Sequence, residues 1–166
     1  MLLLAVIVFQ DFSIREISWY LIPLLLIAFI YKAFNTNSES SLLKNVFFNI
    51  AFMVIQIVLL TVYMSIKNKR PVNIINTYIG LGDILFFIVV CTAFSIGNFI
   101  SFYLLSLLFT LSGVIIYNFF SRKKTREIPL AGIMSLLLIA LIITNKLIPA
   151  INFYNDSYLL NFIKIA

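Results

Sequence analysis

Long apolar runs, each closed by a short group of polar or charged residues, make up most of this chain. A hydrocarbon core of about 30 Å takes roughly 20 apolar residues of α-helix to cross. On that measure the runs predict six helices. The first reaches from the N-terminus to about Phe12, the second covers about Ser18 to Phe34, and the third about Leu43 to Ile66. A fourth is expected from near Tyr78 to near Ile96, a fifth from about Phe99 to Phe120, and a sixth from about Pro129 to Leu147. No linker or low-complexity tract interrupts them, so residues 1–166 read as a single domain.

Composition narrows the class further. The chain is 63% hydrophobic and 11% charged, where a soluble domain is about 45–50% apolar and about 25% charged. Surface-to-volume scaling leaves no way to hide that much apolar side chain inside a water-soluble globule of this size. The expected fold is therefore all-α, a polytopic membrane helical bundle whose solvent is the lipid bilayer. Cys91 is the one cysteine, which excludes an intrachain disulfide or a cysteine cluster for zinc. Histidine is absent, and with it every triad that depends on imidazole. Any enzyme built from this chain works with carboxylates, lysines or hydroxyls.

The net charge of +6 does not point to nucleic acid, because the basic residues lie in short loops between apolar runs. Arg15 occupies the first loop, Lys67, Lys69 and Arg70 the third, and Arg122, Lys123, Lys124 and Arg126 the fifth. Lys32, Lys44, Lys146 and Lys164 fall on the other side. By the positive-inside rule the first set is cytoplasmic, and both termini lie on the opposite side of the membrane. Residues Met1 to Gln10 lack a basic n-region and a small-residue cleavage site, so a retained first helix is expected rather than a signal peptide. About 12 residues rising 1.5 Å each reach only about 18 Å, which requires local thinning of the bilayer or a start further upstream. The segment Asn152–Ala166, with aromatic and aliphatic residues among polar ones, reads as an interfacial helix or as an unstructured aromatic tail.

Candidate chemistry comes from the six acidic residues. A carboxylate in a membrane helix costs roughly 2.5–3.5 kcal/mol at mid-bilayer on insertion scales, which makes it a functional candidate by default. Glu39 and Asp156 lie in outer polar segments, where solvation explains them. Glu16 and Glu127 stand beside Arg15 and Arg126, where charge balance is sufficient. Asp11 and Asp83 remain, the first at the cytoplasmic end of helix one and the second about one turn into helix four. The loop charges thus put both at one depth on one side. Two carboxylates brought together at low dielectric do not both ionise easily, so one holds a proton while the other acts as base. Such a pair suits hydrolysis of a peptide bond with no metal or organic cofactor. Gly80 and Gly82, which flank Leu81 just ahead of Asp83, permit close backbone approach.

The strings Asp11-Phe12-Ser13-Ile14-Arg15-Glu16-Ile17, Gly80-Leu81-Gly82-Asp83 and Glu127-Ile128-Pro129 together resemble the type IV prepilin peptidases, a family of G-x-G-D aspartyl proteases. In that family an aspartate opens D-x-x-x-R-x-I-P-N, a second closes G-x-G-D, and I-P-F begins a later helix. The resemblance implies catalytic roles for Asp11 and Asp83, with Arg15, Ile17, Gly80, Gly82, Ile128 and Pro129 as motif supports. The chain departs from the pattern at Ile17-Ser18-Trp19 and Ile128-Pro129-Leu130, and the family's lysine shortly after G-x-G-D is replaced by an apolar run from Ile84.

Without the cytosolic, cysteine-bearing insert of long-form members, the chain looks like the short form, similar also to preflagellin and tight-adherence pilus peptidases. The resemblance further implies a substrate, a prepilin, pseudopilin or preflagellin precursor. Its basic leader would be cut off at the cytoplasmic face of the inner membrane. Presenilin-like peptidases share G-x-G-D but not the position of Asp11 or its Arg15-Glu16-Ile17 context. The competing reading from another class is a transporter or assembly subunit that uses Asp11 and Asp83 as a proton or cation site.

Overall fold

The computed structural model describes residues 1–14, 16–36, 39–75, 79–120, 130–147 and 153. Six helices occur among them: α1 (Leu2–Ser13), α2 (Leu21–Thr36), α3 (Glu39–Asn68), α4 (Leu81–Val90), α5 (Ile96–Phe120) and α6 (Leu130–Leu147). No β-strand appears among the described residues, only an isolated bridge between Ile75 and Ile79. The expected all-α class therefore holds. Three stretches, Ser41–Asn68, Ile96–Phe119 and Leu130–Leu147, are long and apolar enough to cross a membrane, whereas α1, α2 and α4 are shorter apolar helices.

Helix α6 is the hub. Its most extensive packing is against α1, and it also touches α5 and α4, while α2 lies against α4 and α1, and α3 against α5 and α2. The buried core runs through this contact region, with Leu4 and Ile7 of α1, Phe86, Val89 and Val90 of α4, Phe99 of α5, and Met134 and Leu138 of α6 almost fully enclosed. The outward faces stay apolar: Phe47 and Ile66 on α3, Leu108 and Phe119 on α5, and Leu147 on α6 are all well exposed. A surface of that kind is stable against hydrocarbon, not against water.

The largest departure from the sequence expectation is at helix four, anticipated as one element from near Tyr78 to near Ile96. Tyr78 lies outside the described residues, and α4 itself covers just 10 residues, Leu81–Val90. A tight turn over Cys91–Ser95 follows, and α5 begins at Ile96 instead of Phe99. The segment Cys91-Thr92-Ala93-Phe94-Ser95 contains neither glycine nor proline, so apolar patterning runs through the break without a signal. A residue on another helix stabilises it. The buried side chain of Asn49, on α3, donates from Nδ2 to the carbonyls of Cys91 and Phe94, each at 3.0 Å. These bonds give two buried carbonyls of the turn a donor. Ser95 then serves as the residue preceding α5, with its backbone N–H donating to the Phe153 carbonyl at 2.9 Å and Asn98 Nδ2 donating to the same oxygen at 3.1 Å. Phe153 is the one described residue of the segment read as an interfacial helix or aromatic tail. Its ring packs edge-on against Phe94 with centroids 5.5 Å apart.

Replacing Asn49 with alanine leaves two buried carbonyls unsatisfied, at a cost of about 1–3 kcal/mol each. Asn49→Ala is expected to destabilise the detergent-solubilised protein by about 2 kcal/mol or more in reversible denaturation. A change below about 0.5 kcal/mol would show that the turn does not depend on this side chain.

Candidate active site

Three elements meet at one end of the bundle: the C-terminus of α1, the N-terminus of α4 and the N-terminus of α6. Asp11 falls in the last turn of α1 and is only 6% exposed. A carboxylate at a helix C-terminus opposes the macrodipole at a cost of about 0.3–1 kcal/mol. The first turn of α6 supplies the compensation, since the backbone N–H of Gly132 donates to Asp11 Oδ2. A hydrogen bond to a charged group contributes about 1.5–3 kcal/mol, so the α6 contact outweighs the unfavourable dipole of α1.

Asp83 is held by the same turn. The neighbouring N–H, that of Ala131, donates to Asp83 Oδ1 at 3.2 Å. Asp83 also accepts from the helix it belongs to. Gly80 is the N-cap of α4, Asp83 is the third helical residue, and its carboxylate reaches back to the Gly80 backbone N–H. This is the acidic half of a capping box. Consecutive amides of one helix N-terminus thus hold both aspartates, and each carboxylate lies within electrostatic reach of the other.

The glycines gain specific reasons from this geometry. A Cβ on Gly80 would sit 3.2 Å from Asp83 Oδ2, tight against the reaching carboxylate. One on Gly82 would meet Ile17 at 3.5 Å, an ordinary contact, so a larger side chain there would strike Ile17. The strictest position is Gly132, where a Cβ would stand 2.9 Å from Asp11 Oδ2 and 3.0 Å from the Phe12 ring. Gly132 is what allows α6 to come close enough to α1 for its N–H to reach the carboxylate.

Asp11, Glu16, Ile17, Gly80, Leu81, Gly82 and Asp83 line a half-open cleft of about 320 Å³, within the range of ligand sites, roughly 300–1,000 Å³. Of the residues singled out in the sequence, Asp11, Ile17, Gly80, Gly82 and Asp83 are brought together here. Arg15, Ile128 and Pro129 lie outside the described residues. Glu16, assigned from sequence to charge balance in a loop, lines the cleft as well. The loop that carries it is closed by a two-bond clasp: Gln10 Nε2 donates to Ser18 Oγ at 2.9 Å, and the Ser18 backbone N–H donates to Gln10 Oε1 at 2.9 Å. Proline, which the resembled motif has at the position of Ser18, has no N–H to give. The departure at Ser18 therefore comes with a local means of fixing the loop. Gln10 gave no sign of this role in sequence, since the partner is eight residues away across a turn.

Comparison with protein-family models, with curated proteins and with solved structures finds no match.

Substituting Gly132 tests the α1–α6 approach, with Gly113 as control because nothing lies within 4 Å of a Cβ built there. Gly132→Ala is expected to lower stability by about 1–3 kcal/mol through overpacking. Gly113→Ala is expected to leave stability unchanged or to raise it by up to about 1 kcal/mol. Equal effects in thermal denaturation would contradict the tight approach.

Proposed function

We propose that this protein is an intramembrane aspartyl endopeptidase with Asp11 and Asp83 as its catalytic dyad. The observation that carries the proposal is the convergence of the two carboxylates on consecutive amides at the start of α6, beside an open cleft. Both were singled out in the sequence as acids without a solvated setting, and although they stand 72 positions apart by their own numbers, they accept from adjacent backbone amides.

The chemistry follows from the pairing. One aspartate is ionised and takes a proton from a water molecule, whose oxygen attacks the scissile carbonyl carbon. The other, protonated, donates to the carbonyl oxygen as the tetrahedral intermediate forms. Collapse of that intermediate breaks the C–N bond, and the leaving nitrogen takes a proton, which gives a free amine and a new carboxylate. The helix N-terminus contributes fixed N–H dipoles that hold both carboxylates in place before substrate arrives. Proton bookkeeping belongs to the pair rather than to either residue.

The proposal includes a membrane setting. Six helices span or enter the cytoplasmic membrane with both termini outside, so that the dyad lies near the cytoplasmic face. Support comes from the apolar exterior and from the basic residues Lys67, Lys69 and Arg70, which lie at the end of α3 and in the connection leading to α4. The resemblance in the Asp11 and Gly80–Asp83 motifs directs the substrate assignment to prepilin-like, pseudopilin-like or preflagellin-like precursors, cut where a cytoplasmic leader meets a membrane helix. Ile17 packs over Gly82 and borders the cleft, which gives that motif position a shaping role.

Asp11→Asn and Asp83→Asn keep the shape of each side chain and remove its acid–base function. Each is expected to reduce cleavage of a co-expressed prepilin by about 10³-fold or more while protein level stays unchanged. Cleavage retained in either variant would overturn the dyad. Proton-coupled flux in liposomes, lost in both variants and unaccompanied by proteolysis, would favour a transporter instead.

A further inference from the structure

We infer that this protein makes a step in the lipid bilayer. Beside α1 and α2 the membrane surface lies at the level of Asp11 and Asp83, while beside α3 and α5 it lies further out, so the bilayer is thinner on the dyad's side. The inference rests on the membrane setting proposed above and is independent of the peptidase chemistry.

The first ground is the register of the helices. Phe52 of α3 and Phe87 of α4 both pack on the ring of Tyr103 of α5, with centroids 5.6 and 5.8 Å away, which defines a layer shared by three helices. From that layer α3 and α5 run toward the side from which α4 and α6 start. At about 1.5 Å per residue, Asp83 lies about 6 Å from the layer along α4, whereas Tyr63 lies about 17 Å from it along α3 and Tyr117 about 21 Å along α5. The long helices therefore pass the dyad by about 10–15 Å.

The connection from α3 to α4 has to return over that distance, and it begins by reversing. Lys69 takes a left-handed conformation, with φ 51°. Its N–H donates to the Ile66 carbonyl at 3.2 Å, and the N–H of Arg70 donates to the Ser65 carbonyl at 3.3 Å, the bond pattern of a Schellman ending. The Val72 N–H then donates to Ser65 Oγ at 3.3 Å, and Ile74 is buried. The chain thus doubles back along the last turns of α3 before Gly80 opens α4.

The second ground is the surface of the projecting lengths. Val62 and Ile66 on α3, and Ile115, Ile116 and Phe119 on α5, are each at least half exposed. Such a band is covered by hydrocarbon, not by water. Polar character begins only where α3 ends, at Lys67, whose Nζ lies 5.9 Å from the centroid of the Tyr63 ring. Tyrosine beside a basic residue marks a membrane surface. A second marker stands at another level. Trp19 and Tyr20, both exposed, precede α2, and the adjacent Ser18 is clasped to Gln10, next to Asp11 in the last turn of α1. One flat surface cannot satisfy both markers. Drawn at Trp19, it leaves the ends of α3 and α5 in water; drawn at Lys67, it submerges Trp19 and the dyad. A step satisfies both at a modest cost per ångström of mismatch, and it brings water to the half-open cleft.

Trp19 is the one tryptophan of the chain, so its fluorescence reports the level of the dyad directly. The full chain is placed in phosphatidylcholine vesicles and quenched either by acrylamide, present on both sides, or by lipids brominated along the acyl chain. Trp19→Phe combined with Ile115→Trp reports the projecting part of α5, and Trp19→Phe combined with Phe47→Trp, at an exposed position of α3, reports lipid contact elsewhere. Acrylamide is expected to quench Trp19 about threefold or more strongly than tryptophan at position 115, as for an interfacial against a lipid-covered residue. Brominated lipid is expected to quench tryptophan at positions 115 and 47. Acrylamide quenching at position 115 as strong as at Trp19 would overturn the step by putting the end of α5 in water. Trp19 shielded as well as position 115 would overturn it too, by submerging the dyad under a flat surface. Failure of brominated lipid to quench tryptophan at position 47 would instead overturn the membrane setting on which the inference rests.

Discussion

The first two amides of α6 after Leu130 are the constraint around which this protein is arranged. Gly132 N–H holds Asp11 and Ala131 N–H holds Asp83, so one helix end fixes two carboxylates from helices that are far apart in sequence. A buried carboxylate without donors is expensive in a low-dielectric interior. Each aspartate here is placed where a helix N-terminus can meet it. For Asp83 two such termini contribute, α4 through Gly80 and α6 through Ala131. For Asp11 the α6 terminus must also offset the unfavourable end of α1. That explains why α1 makes its most extensive packing with α6 and why glycine occupies the point of closest approach.

The short helices acquire a reason from the same constraint. At 1.5 Å rise per residue, the 12 residues of α1 and the 10 of α4 extend about 18 Å and about 15 Å, both less than a bilayer core. Helix α1 ends at the dyad and α4 begins there. At the far end of the bundle the Cys91–Ser95 turn stops α4 early, and Asn49 together with the Ser95–Phe153 contact secures that turn. Under the peptidase reading, two truncated helices leave room at the membrane face for water and an extended substrate, while the long helices α3, α5 and α6 provide the span.

Much of this was legible in the sequence, because membrane helices are written in their own composition. Six helices were read from apolar runs, five with ends within a few residues of those found. Asp11 and Asp83 emerged from asking which acids lacked a solvated setting. The features that escaped notice share a physical character, in that each depends on a partner distant in sequence. The turn at Cys91–Ser95 is set by Asn49 on α3, not by a local glycine or proline. Gly132 looks like any glycine of an apolar helix until Asp11 and Phe12 are seen against it. Gln10 and Ser18 look like ordinary polar residues at a helix end until their reciprocal bonds appear. Glu16 sits beside an arginine, an arrangement that charge balance explains well enough to conceal its place in the cleft.

The most direct test of Asp11 and Asp83 as a working hydrolytic pair reads the product rather than the protein. Mass spectrometry of the N-termini of pilin-like membrane proteins, in cells with and without this protein, should find mature, leaderless N-termini only where it is present. Identical N-termini in both, with leaders retained or removed alike, would contradict a peptidase and return the two aspartates to a role without proteolysis.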